Sequence, residues 1–106
     1  MVARGDIWVV NLDPTVGSEI QKSRPCVVVS PPEMHEHLRT VIVAPMTTKS
    51  RPAPFRVAVS HGGQKGLILL DQVRAVDKLR LVKKLGAVSA KTLGNTLGTL
   101  QEIFAA

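Results

Sequence analysis

Five or six short strand patterns at even spacing, closed by one strongly periodic C-terminal segment, predict a mainly β chain with a C-terminal helix, folded as a small SH3-like β-barrel. The composition supports it. Hydrophobic residues make up 44% of the 106 and charged residues 21%, which is enough apolar side chain for one core, and the length suits a single domain over residues 1–106.

The first strand is expected at Ile7-Trp8-Val9-Val10-Asn11-Leu12, rich in β-formers and stopped by Asp13-Pro14, where proline fixes φ and aspartate favours a turn. Thr15 to Lys22 is polar and lacks apolar periodicity, so it reads as an exposed loop leading to a second strand at Pro25-Cys26-Val27-Val28-Val29. Pro31-Pro32 opens a short helical stretch, Glu33 to Leu38, and a third strand is expected from Thr40 to Ala44. Pro45 to Pro54 is polar and basic. Phe55-Arg56-Val57-Ala58-Val59 then alternates with period two, and His61-Gly62-Gly63 makes a turn. Gly66 to Leu70 reads as a buried strand continuing through Asp71-Gln72-Val73-Arg74 to about Asp77. Leu79 and Val82 suit a helical turn, and Leu85 and Ala87 a short last strand.

Ser89 is placed to cap the final helix, with Val88 and Leu93 as a hydrophobic staple and Leu93, Leu97, Leu100 and Phe104 on one face. Trp8 and Phe104 are expected in the core. Gly94 and Gly98 share a helix face at a cost of roughly 1 kcal/mol each relative to alanine, so they point to a close backbone approach, a subunit interface being one candidate.

Lys and Arg outnumber Asp and Glu by 14 to 8, a net charge of +6 that suits a polyanionic partner. No run is long enough to span a bilayer, and the chain starts directly into a strand pattern without a signal-type apolar stretch, so no membrane role and a cytoplasmic location are expected. The single cysteine, Cys26, sits among valines and reads as core filler; a nucleophile would need exposure and a positive neighbour.

There is no phosphate-cradling glycine loop, zinc spacing or dinucleotide fingerprint, so any activity is expected to need no cofactor and no metal. His35 and His37 lie two apart on a helical turn and point in different directions, and a metal site built from them with Glu33 or Glu36 would need further ligands. These two and His61 read as surface histidines. The polar loops are richer: Glu19 and Arg24 flank one, and Thr47, Thr48, Lys49 and Arg51 lie beyond the end of a strand. Cleaving RNA without metal requires a 2′-hydroxyl to lose a proton, phosphorus to accept attack and the 5′-oxygen to gain a proton, while negative charge builds on the phosphoryl oxygens. An arginine fork and a hydroxyl answer that charge. On composition alone, surface salt bridges and loop caps are the favoured account of the same residues.

The motifs decide between these readings. Arg4-Gly5-Asp6-Ile7-Trp8-Val9-Val10, Leu12-Asp13-Pro14-Thr15, Gly17-Ser18-Glu19, Arg24-Pro25, Val27-Val28-Val29-Ser30, Pro45-Met46-Thr47-Thr48 and Asp71-Gln72-Val73-Arg74, in this order over nearly the whole chain, resemble the MazF/PemK family of toxin endoribonucleases. The resemblance implies a MazF/PemK/CcdB-like barrel, a homodimer that binds single-stranded RNA across its subunits, and a cognate antitoxin, through which operator DNA becomes a further partner. It implies that Arg24 stabilises the phosphorane, that Thr47 orients the phosphate and that Glu19 takes the 2′-hydroxyl proton. Asp13, Thr15, Ser18, Lys22, Thr48, Lys49, Arg51, Asp71 and Gln72 are the matching candidates for RNA contact. The PemK-like branch carries a histidine and an arginine where this chain has Ser18 and Leu69, so that branch's acid–base scheme is not available here.

Two other readings are weaker. A CcdB-like gyrase poison shares the barrel but acts through a tryptophan near its C-terminus, and this chain has none after Trp8. A peptide-binding SH3 module lines its groove with aromatics, whereas tyrosine is absent and only Trp8, Phe55 and Phe104 are aromatic. RNA recognition is therefore expected to use phosphate contacts and base edges more than stacking.

Overall fold

A computed structural model describes all 106 residues. Strands β1 (Asp6–Asn11), β2 (Ser23–Val28), β3 (Thr40–Thr47), β4 (Arg56–His61), β5 (Gln64–Leu69), β6 (Arg74–Asp77) and β7 (Leu81–Ala87) are joined by helices α1 (Pro32–His37) and α2 (Ala90–Ile103). The strand order is β4-β5-β3-β2-β1-β7, with β6 paired to β3 off that path, so the mainly β fold expected as a small barrel is a single sheet curled into a half-barrel. No helix is long and apolar enough to cross a membrane.

β3 organises the sheet. One edge pairs with β2, while the other pairs with β6 through Thr40–Val43 and with β5 through Met46 and Thr47. Pro45 lies between those two partners, so its missing N–H falls in the gap where β3 changes neighbour. The sequence ends this strand at Ala44, before the proline; the partner change is what lets the strand run on.

Val27-Val28-Val29 is continuously apolar because both faces of β2 are covered. Val27 and Val29 join Ile7, Ala44, Met46, Val57, Val59, Ile68 and Leu70 in one core, against which Leu100 and Ile103 of α2 pack. Cys26 and Val28 join Val10, Leu12, Val41, Val43 and Val76 in the other. Ser89 caps α2 as expected, its hydroxyl accepting from the Thr92 N–H at 3.1 Å.

Several expectations change. The strand expected from Gly66 to about Asp77 is not continuous: a 3-10 turn at Leu70–Gln72 breaks it into β5 and β6, which pair with different parts of β3. β7 is seven residues long because all of it lies along β1. Phe104 follows the last turn of α2 and is 74% exposed, and Trp8 is only half-buried, its indole N–H donating to Asp6 Oδ2 at 3.4 Å. His35 is buried, hydrogen-bonded to Ser30 Oγ at 2.6 Å and to the Val2 carbonyl at 3.3 Å, so it is a structural tie between α1, β2's exit and the N-terminus. No close backbone approach within the chain accounts for Gly94 and Gly98, since a Cβ on either would meet open space.

Candidate active site

The β2–β3 ladder stops at Cys26 with Pro45. The next pair in register would join Pro25 to Met46, and Pro25 has no N–H to donate. Beyond that point the two strands part, and a cleft of about 220 Å³ opens between the start of β2, the end of β3 and the β4–β5 hairpin. Arg24, Thr47, Thr48, His61 and Gln64 supply its polar wall.

Arg24 is half-buried, and its Nε donates to the Gln21 carbonyl at 3.2 Å, which anchors the guanidinium at the loop's end. The chain's two ion pairs, Arg56 with Asp71 and Lys84 with Asp6, leave Arg24 out. Thr47 Oγ1 accepts from the Lys49 N–H at 3.2 Å, so its own proton remains free to donate. Gly66 lets β5 close on this residue: a Cβ there would lie 2.7 Å from the Thr47 carbonyl oxygen. No carboxylate lines the cleft.

A second cleft, about 530 Å³, lies between the β1–β2 loop and the 3-10 turn. Ser18, Glu19, Asp71, Gln72 and Arg74 line it. Here the polar groups are bonded within the chain. Glu19 Oε1 accepts from the Val16 N–H at 2.6 Å, Gln72 Oε1 accepts from the Ile20 N–H at 2.7 Å, and Arg74 donates to the Leu12 carbonyl at 3.1 Å. Arg56 meets Asp71 through two bonds of 3.2 Å, a bidentate fork that pushes the arginine further above its ordinary value, chiefly through that hydrogen bond. A third Arg56 bond reaches the Arg51 carbonyl at 3.3 Å and ties down the β3–β4 loop.

The structure thus brings Arg24, Thr47 and Thr48 together and puts Glu19 in the other cleft with Ser18, Asp71 and Gln72. Lys49 and Arg51 are exposed on the loop after β3. Asp13 closes the base of the β1–β2 loop by accepting from the Lys22 N–H at 3.0 Å, with Lys22 in the left-handed region at φ 66°, and Thr15 is half-buried beside it in the chain. Sequence reasoning missed His61, Gln64, Gly66 and Arg56. Only Gly66 carried a signal, as a glycine inside an otherwise apolar strand, which marks close backbone approach. Cys26 is fully buried, and burial pushes its thiol up to about 12 against the opposing pull of Arg74, so it is no nucleophile.

The model of the PemK-like, MazF-like toxins of type II toxin-antitoxin systems matches residues 3–104. The chain belongs to that family. It is 37% identical to the endoribonuclease PemK of Escherichia coli over 94% of this chain and 80% of that protein. It is 35% identical to the endoribonuclease MazF of Staphylococcus saprophyticus over 88% of this chain and 82% of that one. Among solved structures, MazF from Deinococcus radiodurans superposes with a TM-score of 0.87 at 25% identity, covering 99% of this chain and 97% of the other.

Proposed function

We propose that this chain is an endoribonuclease toxin that cleaves single-stranded RNA at short sequences without a metal ion, in the cleft holding Arg24 and Thr47. The observation that carries the reading is the convergence there of an arginine outside every ion pair and a threonine whose hydroxyl proton is free. The relatives named endoribonuclease support it, and they favour it over the CcdB-like alternative.

In this reading the 2′-hydroxyl attacks the adjacent phosphorus, and the P–O5′ bond breaks to leave a 2′,3′-cyclic phosphate and a 5′-hydroxyl. Arg24 meets the charge that builds on the phosphoryl oxygens, and Thr47 donates to one of them. The cleft's donors suit a phosphodiester directly. Thr48, Lys49 and Arg51 extend the basic path toward neighbouring phosphates, and Asp13, Thr15, Ser18, Lys22, Glu19, Asp71 and Gln72 would meet sugar and base edges of the same strand. Glu19, the candidate the family resemblance supplies for the 2′-hydroxyl proton, would have to give up its bond to Val16 and reach out of its own cleft.

A type II antitoxin is the protein partner that family membership supports, with operator DNA bound through it, and a cytoplasmic location follows from an mRNA substrate. A homodimer is supported by the open face at Gly94 and Gly98 and by the exposed Phe104. Purified protein incubated with a long RNA, with and without excess chelator, tests the activity. Cleavage in chelator with 2′,3′-cyclic phosphate ends and intact DNA is the expected result, and 5′-phosphate ends would exclude this chemistry.

A further inference from the structure

Resting on the ribonuclease reading of the first cleft, we infer that His61 is its general base, the group that takes the 2′-hydroxyl proton. The cleft is rich in donors: Arg24, the hydroxyls of Thr47 and Thr48, and the Gln64 amide. None of these accepts a proton near neutral pH. With no carboxylate in the wall, the imidazole is the single lining side chain that does.

His61 is also held in place. It forms the last rung of the β4–β5 hairpin, opposite Gln64, so its backbone is fixed by the ladder. On its other side β7 passes at Gly86, where a Cβ would lie 3.3 Å from His61 Cε1 and where φ is 150°, a conformation that favours glycine. The ring therefore rests against the backbone of β7 while facing the cleft, half-buried. A residue at a loose turn has no such support.

The charged groups on the surrounding elements are Arg24 on β2, Arg56 on β4 and held by Asp71, Lys65 on β5, and Lys83 and Lys84 on β7, the last 3.5 Å from Asp6. α2, which packs along β4, carries Lys91 and Glu102. In the reaction neutral His61 takes the proton from O2′ as the O2′–P bond forms. The P–O5′ bond breaks, and O5′ takes a proton from solvent water. The hydroxide left behind neutralises the imidazolium and restores His61, so no net proton is consumed.

Single-turnover cleavage measured from roughly pH 5 to 8, the interval in which histidines titrate, tests the assignment. Wild-type rate should fall as the pH is lowered, because imidazolium has no lone pair to accept with. His61→Gln should cut the rate about a hundredfold and flatten that acid limb. His61→Ala should recover rate on addition of free imidazole, in proportion to its neutral fraction, and Glu19→Gln should keep the acid limb. Thermal melts identify any variant that misfolds, with His61→Asn as the substitute. An unchanged rate and acid limb in His61→Gln, an acid limb lost in Glu19→Gln, or no rescue by imidazole would overturn the role of His61 while leaving the ribonuclease reading standing. Intact RNA after incubation with folded wild-type protein would instead remove that reading, and this inference with it.

Discussion

Two clefts lie along β3, and they differ in how much hydrogen-bonding capacity their polar side chains have left over. In the second, Glu19, Gln72 and Arg74 are each hydrogen-bonded to the chain's own backbone, and Asp71 is tied up in a fork with Arg56. In the first, Arg24 is tied to the Gln21 carbonyl through Nε alone and belongs to no ion pair, which leaves its terminal nitrogens unbonded, and the Thr47 hydroxyl accepts from the Lys49 N–H but keeps its own proton free. A group already satisfied by its neighbours holds structure; one left over in a cleft is available to a ligand. On the proposed reading, chemistry belongs to the first cleft and loop-holding, with any RNA contact secondary, to the second.

The largest expected effect follows from Arg24. Arg24→Ala should raise the cleavage barrier by about 3 kcal/mol, roughly a hundredfold in single-turnover rate, with the fold intact and RNA binding much less affected. Arg24→Lys should restore part of the rate, since an ammonium keeps the charge but not the bidentate fork. A wild-type rate in Arg24→Ala would place the chemistry outside the first cleft. Thr47→Val should cost about tenfold in the same assay, the loss of one neutral donor to a charged oxygen.

The second cleft should respond in stability. Gln72→Ala leaves the Ile20 N–H without its partner and should lower the unfolding free energy by about 1 kcal/mol in a denaturant titration, with a smaller loss of rate than Arg24→Ala. Behind that cleft, Cys26 gives a pH test. Its thiol titrates near 9 when exposed and is pushed up to about 12 by burial, so the unfolded state releases its proton first. Stability from this group is whole below pH 9 and declines by about 1.4 kcal/mol per pH unit as the pH rises toward 12. Subtracting the same titration of Cys26→Ala should isolate that slope. A pair of curves that stay parallel would show the second core to be wetter than its burial implies.

The smallest effect is expected at Arg51. Arg51→Ala should weaken RNA binding and reduce the salt slope by about 1, with turnover at saturating RNA unchanged within twofold. A loss of turnover as large as that of Arg24→Ala would move the chemistry out onto the β3–β4 loop.

Arg24 and Thr47, which the structure brings to one cleft, were legible as candidates because they sit inside motifs, Arg24-Pro25 and Pro45-Met46-Thr47-Thr48, and because an arginine and a hydroxyl are what a charged phosphoryl group needs. His61 was not, since a histidine before two glycines looks like any turn; its place in the cleft depends on β4 ending level with the gap that Pro25 opens. Glu19 read as a partner of Arg24 because both flank one loop. That loop folds over the 3-10 turn and carries Glu19 away from the cleft that Arg24 lines.

By itself the sequence determined the strand-rich class, the Ser89 cap and the valines buried on β2, all of which follow from side-chain type and short-range period. Tertiary structure decided how far β3 runs past Pro45, that the stretch after Gly66 breaks into two strands, and which polar residues share a cleft. Those outcomes depend on which strand lies beside which. Proline's missing N–H and glycine's missing Cβ acquire meaning only from the partner that each faces, and that partner lies twenty or more residues away in the chain: Met46 for Pro25, and His61 for Gly86.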